Sequence, residues 1–201
     1  MKMLGMRANN NLEHRLKNWC KHMYIILALL AGASNAQDQS TQSLEVVPSV
    51  DLTRYAGVWY EIARLPNGFQ KQCAGDVTAT YTLLENGRIK VVNRCRKKTG
   101  EIDEAEGEAK LSGDDVPNTK LKVRFAPSIL SFLPFVWGDY WIIALSPDYS
   151  YAVIGEPARK YLWVLSRTPG MDESTLNTLL DQIKAKGYDL TGLVRTNQSG
   201  K

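Results

Sequence analysis

From residue 57 to residue 167 the chain repeats one pattern: a short run of alternating polar and apolar residues, a turn, then another such run. A period of two marks a strand with one dry face and one wet face. Many such runs in series point to an antiparallel barrel or sandwich. The first run, Gly57-Val58-Trp59-Tyr60-Glu61-Ile62-Ala63-Arg64, puts Gly57, Trp59, Glu61 and Ala63 on one face and the other four on the opposite face. A tryptophan beside a residue without a side chain suits the narrow end of a closing barrel, where backbones approach closely.

The next two runs, residues 76–84 and 88–96, are joined through Glu85-Asn86-Gly87. Asn86-Gly87 supplies the positive φ angles of a two-residue hairpin loop. Further strands are expected at 101–112, 120–125, 139–145, 151–155 and 161–167, which makes eight. In the first of these, Glu104, Glu106 and Glu108 alternate with Ala105, Gly107 and Ala109, so charges face water and small residues leave room inside. Beyond Thr168-Pro169-Gly170, Asp172 caps a helix over 172–187. Its Leu176, Leu179, Leu180 and Ile183 form one apolar stripe, so it lies against the outside of the strands. Gly187 ends it, and a last strand is expected near 190–196.

Residues 1–36 read as a secretory leader: Arg15, Lys17 and Lys21 precede an apolar run over 23–31, and Ser34 and Ala36 are spaced for cleavage. The run is too short for a permanent membrane span. A buried core helix is the alternative, and Met1, Met3 and Met6 all stand open as the start. The leader holds five of the 25 Lys and Arg and one of the 21 acidic residues, which leaves 20 of each. The remainder is therefore neutral and carries no nucleic-acid footprint. His14 and His22 also leave with it, so no histidine remains for a catalytic triad or a metal. No metal site and no cofactor are expected.

Cys20 departs too, and in an oxidising compartment Cys73 and Cys95 are expected to pair. The hairpin register brings them near each other without making them opposite, so the bridge needs a bulge or a site where the strands end. Residues 37–50 are expected as a flexible arm, 51–196 as the domain and 197–201 as a tail.

Three separated motifs then carry a resemblance: residues 57–64, Gly138-Asp139-Tyr140-Trp141, and Tyr161-Leu162-Trp163-Val164-Leu165-Ser166-Arg167. Together they resemble the lipocalin family, in particular its bacterial outer-membrane group and apolipoprotein D-like members, over almost the whole exported chain. The resemblance implies an all-β fold: an eight-stranded antiparallel up-and-down barrel with one C-terminal helix packed outside. It also implies that Trp59, with Gly57, closes the barrel floor and that Arg167 packs on Trp59, a cation–π contact. Members of the bacterial group often carry a lipidated cysteine after the apolar run. Here Ala36-Gln37 stands at that boundary, so no lipid anchor is expected. The expected location is the periplasm or the periplasmic face of the outer membrane.

An eight-stranded barrel of this type holds one small ligand. The phase of the alternation points Val77, Ala79, Tyr81, Leu83, Ile89, Val91, Asn93, Val123, Phe125, Trp141, Ile143, Tyr151 and Val153 inward. The resemblance puts Tyr81 and Trp141 first. This lining, apolar with a few polar handles, suits a fatty acid or lysophospholipid, with envelope or membrane maintenance as its purpose. Residues 126–138 hold Ile129, Leu130, Phe132, Leu133 and Phe135 between Pro127 and Pro134, which argue against a long helix. That loop touches a membrane, lines the entrance, forms a homodimer interface or folds over the barrel; the chain is expected as a monomer or homodimer. Other readings are a lipid- or pigment-modifying enzyme and a structural barrel with no ligand. With no catalytic residue identified, the chain reads as a binding protein rather than an enzyme; Glu61, on the face of Trp59, is the one acid to watch.

Overall fold

The computed structural model describes residues 43–113 and 117–199. The leader, the first part of the arm, Asp114-Asp115 and the last two residues of the tail lie outside them. A short helix α1 (Leu52–Tyr55) precedes strands β1 (Gly57–Arg64), β2 (Cys73–Leu83), β3 (Ile89–Lys97) and β4 (Ile102–Leu111). Then come β5 (Lys120–Arg124), β6 (Gly138–Leu145), β7 (Tyr151–Gly155), β8 (Leu162–Ser166), helix α2 (Glu173–Ala185) and β9 (Val194–Arg195). Each strand from β2 to β8 pairs antiparallel with the next, and β1 pairs with both β8 and β2. Eight strands thus close a barrel, with β9 added beside the end of β1.

The β2–β3 turn differs by one residue from expectation. Leu84 N–H donates to Arg88 O and Gly87 N–H to Leu84 O, so the loop is Glu85-Asn86-Gly87, with Gly87 at φ +76°. A three-residue loop ending in a left-handed glycine is the other common hairpin solution. At the far end of the same strands Cys73 and Cys95 are bridged, their Cα atoms 5.5 Å apart. The register slips between Cys73, Gly75 and Thr78, with Asp76 at φ +52°, which supplies the bulge the pairing requires.

Helix α2 starts at Asp172, whose carboxylate accepts from Thr175 N–H, and stops at Gly187, φ +86°. Leu176, Leu179 and Ile183 are each buried against the outer face of the barrel, beside Ile143, Val153, Leu162 and Val164. The molecule has two apolar layers: one inside the barrel, one between barrel and helix.

Both chain ends are more engaged than the expected arm and tail. From residue 43 the arm is packed: Leu44 and Val50 are buried, and Val47 N–H donates to Ile142 O at 3.0 Å. Asn118 clamps Val50, accepting from its N–H at 3.0 Å and donating to its carbonyl at 2.7 Å. At the other end β9 lies beside the second half of β1, where β2 has diverged. Gln198 Nε2 donates to Glu61 O and Val77 O, and Asp76 accepts from Ser199 N–H at 2.6 Å and Arg96 Nε at 2.6 Å. Those bonds hold the Asp76 carboxyl below its usual range. Residues 194–199 therefore fill the gap between β1 and β2 that the Asp76 bulge opens.

Candidate functional site

The closed end is built around Trp59, which is wholly buried. The Arg167 guanidinium lies 3.9 Å from its ring centroid. Arg167 also donates to four backbone carbonyls, Val58 at 3.0 Å, Arg54 at 2.6 Å, Tyr55 at 3.1 Å and Tyr149 at 3.4 Å. Gly57 has φ +99°, and a Cβ there would sit 3.2 Å from Arg167 Nη1. The floor trio expected from the motifs is thus placed together, stitching α1 to β1 and the end of β8.

Above Trp59 three phenols form a chain. Tyr55 and Tyr140 hydroxyls lie 2.7 Å apart, and Tyr140 donates to Tyr81 at 2.9 Å. Since Tyr140 has one proton and spends it on Tyr81, Tyr55 must donate to Tyr140. The Tyr81 proton then has no acceptor among the described residues. Burial pushes the Tyr81 phenol up to about 12 and the other two well above the ordinary value, so all three stay protonated at neutral pH. With Val91, Leu121 and Ile142 around them they fill the lower half of the barrel.

The upper half is lined by smaller residues. Residues paired directly across a ladder share a face, and Ile89↔Ala109, Val91↔Gly107 and Asn93↔Ala105 run from the filled core toward the other end. Ala109 is buried, yet Ala105 is exposed while facing inward. The intended room at Gly107 is taken by the Phe125 ring, whose Cδ1 would lie 2.6 Å from a Cβ placed there. Above Tyr81 the inner wall is formed by the small or half-buried Ala79, Asn93, Ala105 and Val123, which line a candidate cup.

Of the residues expected inside, Val77, Ala79, Tyr81, Ile89, Val91, Asn93 and Val123 sit on the inner face. Leu83, 42% exposed, is on that face at the closed rim, and Phe125, 43% exposed, follows the end of β5 over Gly107. Trp141, Ile143, Tyr151 and Val153 are instead on the outer face, packed toward α2. Trp141 lies under Lys120, whose Nζ is 4.3 Å from its ring centroid. The phase is set by Leu121↔Tyr140, which turns Tyr140 and Ile142 inward and their neighbours outward. Alternation could not reveal this, because β6 to β8 bury both faces. A depression of about 290 Å³ lined by Tyr151, Thr175 and Leu179 lies on this outer side, apart from the cup.

Several mouth residues were absent from the expected set. Tyr161 and Trp163 stack at 6.1 Å, and Phe69 approaches them at 5.6 Å and 6.1 Å. The spacing Tyr161-x-Trp163 is the one signal that would have found a pair. Next to them Glu61, 2% exposed, accepts from Gln70 Nε2 at 2.7 Å and from Thr196 Oγ1. Trp163 Nε1 donates to Gln70 Oε1 at 3.0 Å. Burial raises the Glu61 carboxyl, against the pull of those two hydrogen bonds and of Arg64. Among the described residues no cluster of His, Cys, Asp and Glu is placed to hold a metal.

The hydrophobic loop does not fold over the barrel. Two 3-10 turns, Ser128–Leu130 and Pro134–Val136, replace any long helix. Trp137 anchors the loop: its Nε1 donates to Ser131 O at 2.8 Å, and Lys110 and Arg124 lie 4.4 Å and 5.1 Å from its ring. Ile129, Phe132 and Phe135 are 79%, 76% and 80% exposed, Leu130 is exposed to a lesser degree, and Leu133 is partly covered.

A lipocalin-like domain model matches residues 50–198. Temperature-induced lipocalin-1 of Arabidopsis thaliana is 42% identical over 159 residues, 79% of this chain and 84% of that relative. The outer membrane lipoprotein Blc of Citrobacter freundii is 37% identical over 161 residues, 79% and 85% of the two chains. Apolipoprotein D of Rattus norvegicus is 32% identical over 190 residues, 88% and 95% of the two. In architecture the chain is similar to insecticyanin from the tobacco hornworm Manduca sexta, with a TM-score of 0.57 at 20% identity over 79% of this chain and 86% of that one. That last likeness speaks for the fold alone.

Proposed function

The chain belongs to the lipocalin family, whose members bind small hydrophobic ligands, and on that premise we propose that its cup binds and carries a single-chain amphiphile, a fatty acid or lysophospholipid. The observation that carries this reading is the exposed, inward-facing Ala105 above a floor sealed by Tyr81 and Trp59. A blind cavity open at one end accepts a tail and leaves a head group near solvent. Ten buried methylenes contribute roughly 8 kcal/mol before the costs of association. Micromolar binding corresponds to about 8 kcal/mol net, so contacts at the head group must offset those costs. The reading is of a binding protein rather than an enzyme: both oxygens of Glu61, the buried acid of the barrel, are held by Gln70 and Thr196.

Mass spectrometry of lipids extracted from purified protein tests it, together with tryptophan fluorescence on titration with laurate and lysophosphatidylcholine. Bound acyl lipid and saturable quenching support the carrier. Repeated recovery of empty protein with no fluorescence change sinks it and leaves the structural barrel.

The same reading gives the loop a place. The relatives named outer membrane lipoprotein favour an exported protein of the cell envelope. Ile129, Phe132 and Phe135 would then rest in a lipid surface beside the mouth, a short path for a ligand. Each buried side chain of this size contributes about 1.5–3 kcal/mol. Phe132→Ser with Phe135→Ser is therefore expected to weaken co-sedimentation with phosphatidylethanolamine–phosphatidylglycerol vesicles by at least 10-fold, about 1.4 kcal/mol. Unchanged sedimentation alongside a shift from dimer to monomer in gel filtration would assign the loop to a homodimer interface instead.

A further inference from the structure

The β1–β8 register shifts between Glu61 and Ala63, so simple alternation fails at the end of β1: Ala63 packs in the outer layer, and Arg64, expected on the face opposite Trp59, lies on the inner face directly across the ladder from Trp163. Trp163 packs with the inner layer and Phe69 and Tyr161 stand beside it, so Arg64 shares its face with the mouth aromatics. Its surroundings do not serve it. Nε and Nη1 are both shut off from solvent and donate no hydrogen bond. The nearest carboxylate oxygen, Glu61 Oε1, is 3.6 Å from Nε, beyond hydrogen-bonding distance. Glu61 cannot turn to it without cost, since its oxygens are engaged by Thr196 and Gln70.

Other buried guanidinium groups in the molecule are treated differently. Arg167 donates to four carbonyls. Arg124, on the outer face, also leaves its Nε unpaired, but its Nη1 donates to Ala126 O at 2.6 Å and its Nη2 to Glu108 Oε2 at 3.1 Å, whereas the Arg64 side chain makes no hydrogen bond among the described residues. An arginine keeps its charge at any physiological pH and presents a rigid fork that matches an oxyanion. Leaving such donors unmade inside a barrel is costly, so an acceptor that arrives from outside gains what the fold leaves unsatisfied.

We propose that Arg64 is the receptor for an oxyanion head group, carboxylate or phosphate, on the amphiphile whose tail occupies the cup. The proposal rests on the carrier reading above. The head group reaches the unpaired donors of the guanidinium from the mouth by displacing the side chains that cover them, and the tail runs past Asn93 and Ala105 toward Tyr81. Phe69, Tyr161 and Trp163 limit water around the pair, which strengthens a charge-assisted bond. Selectivity follows: of two ligands with one tail, the acid binds better than the alcohol.

Three probes with the same tail separate the possibilities: dodecanol, laurate and dodecyl phosphate, each titrated against intrinsic tryptophan fluorescence. The wild-type protein is expected to bind at least one of the two acids about 10- to 100-fold more tightly than dodecanol. Arg64→Gln is expected to erase that difference while leaving dodecanol affinity within about 2-fold, and Arg64→Lys to restore part of it. Preference for laurate alone assigns a carboxylate ligand, for dodecyl phosphate alone a phosphate ligand, and for both an oxyanion in general. Equal binding of the three probes by the wild type overturns the proposal, as does an Arg64→Gln variant that loses dodecanol as strongly as the acids. If Arg64→Gln does not fold, the wild-type preference and its partial retention in Arg64→Lys decide. Failure of all three probes to bind removes the carrier reading as well, whereas dodecanol binding without discrimination removes Arg64 alone.

Discussion

Trp59→Ala is expected to destabilise the barrel by about 3–5 kcal/mol, the range for truncating a fully buried aromatic. Trp59 is wholly buried, its ring lies 5.0 Å from that of Tyr55, and its Nε1 donates to Tyr55 O at 2.8 Å. Truncation therefore opens a cavity between the floor and the phenol chain, and the packed barrel wall relaxes little to fill it. It also takes away the ring on which Arg167 lies. Tyr55 O loses one of its two donors and keeps Arg167 Nη2, so the loss is mainly of packing and of the cation–π contact. Urea unfolding of Trp59→Ala, Arg167→Ala and the double variant measures both parts. A coupling of about 1–2 kcal/mol is expected between the two sites. A loss below about 1 kcal/mol for Trp59→Ala would mean that this end of the barrel is not a packed floor.

How far the sequence could be read depended on whether an element shows one face to water. The 172–187 helix was legible to within two residues at either end, because a single apolar stripe, an aspartate cap and a terminal glycine agree. In β2 and β3 the inner residues Val77, Tyr81 and Ile89 alternate with polar neighbours, and their phase, carried on to Val91, was legible too. Strands β6 to β8 carry Ile142-Ile143, Ala152-Val153-Ile154 and Leu162 to Leu165 with both faces dry, one on the barrel core and one on α2. Period two has no contrast there, and Trp141 was turned the wrong way. The mouth cluster was hidden for another reason: Glu61, Arg64, Gln70, Trp163 and Thr196 are brought together by three separate segments. Nothing local marks Thr196, since the two-residue β9 is too short to show a period, and the packed residues 43–50 contribute isolated anchors, Leu44 and Val50.

Ala105→Trp is expected to empty the cup without unfolding the protein. Ala105 faces inward across from Asn93 and is exposed, so a larger side chain displaces no core atom. Two positions along, Gly107 is a poor choice for the same purpose, because a Cβ there would lie 2.5 Å from Arg124 O and disturb the β4–β5 ladder. An indole at 105 fills space that a ligand tail would use. Each methylene kept out forfeits about 0.8 kcal/mol. Two or three of them cost about 1.6–2.4 kcal/mol, a roughly 15- to 60-fold rise in Kd for laurate. Glu104→Trp supplies the control, since Glu104 lies on the outer face of the same strand, paired with Arg94. It adds the same chromophore and is expected to leave affinity unchanged. The outcome that counts against the cup is equal affinity in both variants. That would put the ligand elsewhere, and the depression between β7 and α2, lined by Tyr151 and Thr175, would be the place to substitute next.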